Sequence, residues 1–567
     1  MAATRVFATP SGPLIATLAL VLSILVVSGT GPVAATGMVA GGEPVEPGGD
    51  AAAIAIEDGL QNDTGTVEVV LRLEDVTGLE AASLDDQATV EELEDHATES
   101  QEPIERHATD HEGVTVLETF WLANAMLLSV DTEVVDLETF EQFEDVEAIH
   151  ENYAVNTPEP PSGERAEPTR DRATAEIDMI DVPAVWADLD ARGEGVRVAV
   201  LDTGVEASHP DIDLYTEDPD DPTYPGGWAA FDNEGSKIEG ATPNDDGTHG
   251  THVTGTVAGG NTTGTAIGVA PEAEVIHGQV LGDDGGTFAQ LLAGLEWAVV
   301  SDADVINLSL GIDGYADPLI DPIEHAEASG AIVITAIGNE GHGTSNSPGN
   351  IYDTTSVGAV DLRGEVAPFS GGETVSRADW AEPRDDWPET YTVPTITAPG
   401  VSVVSAHPLG YARSSGTSMA APHVAGTVAL LLEIDEDLTA DEVDAAIYGT
   451  AWHPDGSVDD RYGHGVLNAS MAAEHVAGTT EGDTPSPAVD GEPVDSEDQP
   501  HDGDDGDTVD ADPENEQMDD GAGTTLEGAP ASRPGSLAIP AFALAMGGSL
   551  VVLVRALRGA GSGETRR

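Results

Sequence analysis

The sequence predicts an α/β protein built on a doubly wound parallel sheet, with a smaller ferredoxin-like α+β unit in front of it and a disordered acidic tail and one transmembrane helix behind. Three observations predict this. From 175 to about 475, short apolar runs alternate with helical stretches, as in a parallel sheet with helices on both faces. From 66 to 155 the pattern reads β-α-β-β-α-β. From 481 to 530 the chain holds 18 acidic residues, no basic ones and few apolar side chains, a composition that cannot bury a core.

The elements follow in order. Arg5 precedes the apolar run "GPLIATLALVLSILVV" (12–27), and the small residues of "PVAAT" (32–36) follow. This reads as a signal peptide over 1–35 cut near Ala35, the alternative being an N-terminal membrane anchor. Residues 36–65 form a Gly- and Ala-rich linker. In the unit 66–157, "TVEVVLRLED" (66–75) alternates like a strand, 88–109 is helical with Pro103 interrupting it, and 114–131 supplies two short strands. An amphipathic helix over 133–146 and a last strand over 146–155 complete it. Residues 158–174 are Pro-rich and charged, a linker suited to a processing cut.

The large unit spans 175–478, with strands at 196–202, 274–281, 304–310, 331–338 and 354–360 and helices at 288–300 and 322–330. An acidic stalk, 479–532, leads to "SLAIPAFALAMGGSLVVLV" (536–554), which has no charge and the length of one transmembrane helix. Arg555, Arg558, Arg566 and Arg567 place the tail 555–567 in the cytoplasm and the main body outside. Replacement of that tail by a lipid is also open, since "RPGS" (533–536) loosely resembles an archaeal sorting signal.

Composition narrows the function. The net charge is −87, from 106 acidic and 19 basic residues, with Lys237 the single lysine. Salt near 1 M shortens the Debye length to about 3 Å and removes most of the resulting self-repulsion. The acids are not confined to the tail, so the whole surface resembles that of proteins from extreme halophiles. Nucleic acid is excluded as a partner by charge. With no cysteine, disulfides and thiolate metal sites are excluded.

Three stretches carry chemistry. In "VRVAVLDTGVEASHPDI" (196–212) an apolar strand ends at Asp202, where α/β folds place their sites. In "NDDGTHGTHVTGTVAG" (244–259) glycines surround His249 and His252; a His-x-x-His pair is half of a metal site. In "GTSMAAPHVAG" (416–426) Ser418 lies in the first turn of a helix, among unpaired N–H groups and the positive dipole end. Each alone has a plainer reading: a turn cap, a structural histidine pair, a helix cap.

Together, in the order Asp…His…Ser on an alternating α/β chain, they resemble the subtilisin-like serine proteases. "VAVLDTGVEASHPD", "HGTHVTGTVA", "GVAPEAEV", "VINLSLG", "AIGNEG" and "GTSMAAPHVAG" occur in that family's order over roughly 175–475. With the acidic surface, the chain is most similar to halolysin-type extracellular proteases. The resemblance implies that Asp202 orients His249, that His249 is the general base, and that Ser418 is the nucleophile. It implies that Asn339 donates to the oxyanion and that Ser309, Leu310 and Gly311 bind substrate. His252 carries over as structural. The unit 66–157 becomes an inhibitory propeptide of a zymogen, and the substrates proteins or peptides.

Asp211 matches a family calcium ligand, but Thr262 stands where Asn is common, so a structural calcium ion is an open expectation; no catalytic cofactor is implied. The stretch 371–400, with Trp380 and Trp387, is longer than the family's and either shapes substrate access or is a plain surface insertion. Two rival functions remain at this level: a catalytically silent surface binding module on the same fold, and a metallohydrolase using His249 and His252.

Overall fold

A computed structural model describes residues 54–480 apart from 58, 61–63, 77–85, 158–163, 167, 169–170, 246 and 283–284. The expected signal peptide, the acidic stalk beyond 480, the C-terminal span and the cytoplasmic tail lie outside the described residues.

The N-terminal unit contains β1 (Thr66–Leu73), α1 (Asp86–Asp110), β2 (Val114–Phe120), β3 (Ala125–Asp131) and β4 (Val146–Glu151). They form an antiparallel sheet of order β4-β1-β3-β2, with Ala55–Ile56 added in parallel beside β4. Val69, Leu71, Met126 and Leu128 pack with Ile104 of α1 and with Phe140. Val70, Ala125 and Leu127 belong instead to a cluster shared with the large unit.

Three sequence expectations change here. Pro103 sits inside α1 without interrupting it. Burial of Leu93, Ala97, Gln101 and Ile104 along one face holds the helix together despite the lost N–H. The expected helix 133–146 shrinks to a 3-10 turn over Leu137–Gln142, capped by the Asp136 side chain. Only Leu137 and Phe140 are buried there, a spacing of three that suits a 3-10 turn, and the remaining positions are largely acidic. The expected last strand also splits. After β4 the chain leaves this sheet, and β5 (Ala154–Val155) pairs with Gly286–Thr287 of the large unit.

The large unit is a seven-stranded, all-parallel sheet. Its strands are β6 (Arg197–Asp202), β7 (Trp228–Ala230), β8 (Glu274–Gln279), β9 (Val305–Leu308), β10 (Ile332–Ala336), β11 (Thr355–Val360) and β12 (Ile396–Pro399). Their spatial order is β12-β11-β10-β9-β6-β8-β7. Sequence periodicity finds the five central strands but not β7 and β12, which are three and four residues long. Alternate residues of β6 serve two cores. Val198 and Val200 pack with α2 (His249–Ala258) and α5 (Thr417–Ile434), through Val253, Val257, Val424 and Val428. Ala199 and Leu201 pack with α3 (Phe288–Val300) and α4 (Ile320–Ala328), through Leu291, Leu295 and Ile323.

This two-sided burial explains why the strands read as continuous apolar runs. The winding direction reverses beside β6, so Asp202 stands at the topological switch point. Among the described residues, α5 is the one helix long and apolar enough to cross a membrane, and 89% of it is buried in this core.

The long stretch 371–400 folds as an antiparallel pair, Glu373–Ser376 with Thr390–Val393. Trp380 and Trp387 are buried and meet edge-on with ring centroids 5.5 Å apart. Trp380 Nε1 donates to Tyr391 Oη at 2.9 Å, which donates to the Asn350 carbonyl at 2.7 Å. The two tryptophans therefore form a local core. Trp380→Ala removes its centre and is expected to destabilise the chain by about 3–5 kcal/mol, read by denaturant unfolding of a Ser418→Ala background at high salt.

Candidate active site

Asp202 ends β6 with no solvent exposure. Its Oδ1 accepts the Thr203 N–H at 2.7 Å. His249 opens α2, and its Nδ1 lies 2.8 Å and 3.0 Å from the two Asp202 oxygens. A carboxylate there selects the tautomer with hydrogen on Nδ1 and leaves Nε2 as an acceptor. That Nε2 is buried and has no hydrogen-bond partner. Burial by itself pushes the His249 pKa down, but the Asp202 charge and hydrogen bond, joined by the Asp245 charge, outweigh it and raise it.

Ser418 is the second residue of α5 and almost fully buried. Its Oγ donates to the Ser309 carbonyl at 3.2 Å, and Ser309 Oγ donates to the Ser418 carbonyl at 2.9 Å. Asn307 Nδ2 in turn donates to Ser309 Oγ at 3.0 Å. The Ser418 hydroxyl is thus turned to Ser309 and makes no hydrogen bond to His249. Catalytic hydrogen bonds commonly form or tighten only with substrate bound.

Asn339 Oδ1 accepts the Thr417 N–H at 2.9 Å and Thr417 Oγ1 at 3.1 Å. The backbone donor settles which end of the amide is oxygen. Asn339 Nδ2 is left buried without a partner, and a Cβ placed on Gly416 would stand 3.3 Å from it. The start of α5 therefore gathers an unsatisfied amide donor and the orphan N–H groups of a helix N-terminus.

The predicted substrate-binding residues divide. Ser309 is buried in the hydrogen bonds just described, and Leu310 joins the apolar cluster with Phe288 and Leu291. Gly311 presents a strand edge, and that edge is taken by the chain's own Asn156. Gly311 N–H donates to Asn156 O at 2.9 Å and Asn156 N–H to Gly311 O at 3.0 Å. With β5 on Gly286–Thr287, the segment 154–156 runs between two edges, and Val155 is fully buried in the apolar cluster. Sequence reasoning placed 146–155 in one strand and missed this.

The two other histidines of these motifs each face a backbone carbonyl. His252 Nε2 lies 3.0 Å from the Val403 carbonyl, and burial pushes its pKa down to about 3. His423 Nδ1 lies 2.8 Å from the Met419 carbonyl, with its pKa pushed down to about 4 by burial. His252 Nε2 is thus engaged by a backbone carbonyl, and no group of three or more His, Asp or Glu among the described residues could hold a metal ion.

Asp211 was the expected calcium ligand. Its Oδ1 accepts the Thr262 N–H at 2.7 Å and the Thr262 hydroxyl, and its Oδ2 accepts Tyr411 Oη at 2.7 Å. Donors converging on both oxygens do not fit a cation there, which needs oxygens facing it. Residues the sequence reading passed over are Thr203, Asp245, His277 and Asn307. The acidic pair ahead of "HGTH" was the available signal for Asp245.

Residues 193–465 match the family model described as the subtilase family. Subtilisin DY of Bacillus licheniformis is 36% identical over 292 residues, which are 50% of this chain and 92% of that protein. The chain belongs to the subtilase family. Subtilisin E of Bacillus subtilis is 35% identical over 304 residues, 53% of this chain and 70% of that protein. An intracellular serine protease of Paenibacillus polymyxa is 33% identical over 310 residues, 53% of this chain and 86% of that protein. This subtilase is accordingly a serine endopeptidase acting on proteins or peptides.

One glycine controls the site's geometry. A Cβ on Gly250, directly after His249, would stand 2.2 Å from the Gly204 carbonyl oxygen. Gly250→Ala must push α2 away from β6. An error of about 1 Å in such a placement costs about 100-fold in rate, and that loss of kcat on a peptide substrate is the expected result.

Proposed function

We propose that this subtilase is a secreted or surface-anchored, salt-adapted endopeptidase, made as a zymogen and working through Asp202, His249 and Ser418. One observation carries the reading: Asp202 holds His249 through Nδ1 and leaves its buried Nε2 without a partner, and Asn339, bound to Thr417 beside Ser418, leaves its buried Nδ2 open as well. An open acceptor on a ring held by a carboxylate can take a proton, and an open amide donor can receive an oxyanion.

In this mechanism His249 Nε2 takes the Ser418 hydroxyl proton as Oγ attacks the peptide carbonyl carbon. The carbonyl oxygen becomes an oxyanion, received by Asn339 Nδ2 and the Ser418 N–H. Asp202 holds the ring and stabilises the imidazolium. His249 then protonates the leaving amine, and the C–N bond breaks to an acyl-enzyme. Water repeats the sequence in the second half, with His249 as base, and releases the acid.

The segment 154–156 at the Gly311 edge supports an autoinhibitory role for the unit 66–157. Its dock is polar as well as apolar. Arg72 pairs with Glu382 and stands 3.9 Å from Asp321. His325 bridges Asp75 at 3.1 Å and the Leu122 carbonyl at 2.6 Å. The Leu122 N–H donates to Glu296 at 3.0 Å, a carboxyl that burial pushes up to about 8. A cut between 156 and 175 would free the edge. Export, anchoring by 536–554 and salt adaptation rest on the sequence features set out above.

Ser418→Ala is expected to abolish casein cleavage at high salt, and persistent cleavage would sink the serine mechanism. Asn339→Leu is expected to lower kcat by about 100- to 1000-fold. A serine-reactive phosphonate stops the initial rate and a chelator does not, the reverse of a metallohydrolase. The base must be neutral to accept a proton, and its pKa is raised in the folded protein. The kcat/KM profile is therefore expected to fall on its acid side through an apparent pKa above that of an ordinary histidine, measured at constant salt.

A further inference from the structure

The helix that starts at His249 has no ordinary cap. Thr248, its N-cap residue, has φ 68°, and its side chain caps nothing. A threonine in the left-handed region is strained, and a missing cap leaves first-turn N–H groups to be satisfied from elsewhere. Asp245 satisfies two of them. Its Oδ1 accepts the Thr248 N–H at 2.7 Å, and its Oδ2 accepts the Thr251 N–H at 2.8 Å together with the Thr251 hydroxyl. Thr203 satisfies the third: its Oγ1 accepts the Gly250 N–H at 2.9 Å while donating to Asp245 Oδ1 at 2.9 Å. Thr203 directly follows Asp202 and donates its own N–H to that carboxylate. Asp202 and His249 are thus joined twice, directly through Nδ1 and indirectly through Thr203 and Asp245.

We propose that Asp245 is a positioning residue for the peptidase reaction: through Thr203 and the first turn of α2 it holds the His249 ring against Asp202, and it sets a second negative charge facing that ring. The proposal rests on the triad reading above. The ionisable groups near His249 are Asp202 at the end of β6, Asp245 ahead of α2, His252 on α2, His277 on β8, and His407, which faces Asp245. Burial pushes His252 down to about 3 and His277 to about 4, so both are neutral in the working range. Burial also lowers His407. The two carboxylates therefore set the charge seen by His249. Burial raises the Asp245 pKa, and the Asp202 charge adds to this, against hydrogen bonds from Thr251 and Thr203 that favour the ion.

Two variants separate the roles. Asp245→Asn keeps the shape and one acceptor but removes the charge. It is expected to lower kcat by about 10- to 100-fold with KM little changed. Loss of a negative charge beside His249 also moves the acid limb of kcat/KM to lower pH. Thr203→Val keeps both charges and breaks the link; kcat is expected to fall similarly with the acid limb unmoved. Both are measured in the full chain at high salt, with near-ultraviolet circular dichroism as the check on folding. An unchanged acid limb in folded Asp245→Asn, or wild-type kcat in Thr203→Val, overturns the proposal. If Asp245→Asn does not fold, Thr203→Val decides by its kcat. Ser418→Ala is run alongside: residual activity there removes the triad reading itself, whereas an inactive Ser418→Ala beside a wild-type-like Asp245→Asn removes only the role of Asp245.

Discussion

A carboxylate with no solvent exposure stands at the centre of this molecule, and the placement of the neighbouring groups answers to it. Removing an ion from water costs several kcal/mol unless close partners compensate. Asp202 finds them in the Thr203 N–H and in His249, 2.7 Å and 2.8 Å away. That requirement sets the approach of α2 to β6, the absence of a side chain at Gly250, and the unusual start of α2. The parallel sheet provides the place. The winding direction reverses beside β6, so the strand end that carries Asp202 lies where α/β sheets place their sites.

The same economy of positive charge governs the joint between the two folded units. With 106 acidic residues against 19 basic ones, cations cannot be spread as general counter-charge. Arg72 is the only buried Arg or Lys among the described residues, and it sits against Glu382 and Asp321 where the N-terminal unit meets the large one. Arg384 holds Asp321 and Glu324 together beside it. Arg197 reaches Glu274 at 2.8 Å and the Ser301 carbonyl at 2.7 Å, tying strand starts to the end of α3. Partly buried pairs of this kind are screened much less by salt than exposed charges farther apart than a Debye length.

Much of this was legible from residue patterns. The central strands, α3 and the start of α5 follow from local periodicity and capping signals, while the grouping of Asp202, His249 and Ser418 came from resemblance to a family's ordered motifs. The failures share a cause. Pro103 reads as a break by local rules, and packing of α1 on its sheet overrides it. The run 133–146 has a helical pattern, but only Leu137 and Phe140 find a core. The stretch with Trp380 and Trp387 reads equally as shaping substrate access or as a surface insertion, and the two rings become a core once the hairpin around them closes.

By itself the sequence determined the alternation of strands and helices and the acidic character of the chain. These depend on local spacing and on composition. Only the tertiary structure decided that Asp245 caps the helix of His249 in place of Thr248, that Asn156 lies on Gly311, and that Asp211 is filled by Thr262 and Tyr411. Each of these contacts joins residues that chain order does not bring together; Asp211 and Tyr411 are 200 positions apart. They come within reach only after the sheet has chosen its strand order, and that choice is made by burial of the whole core.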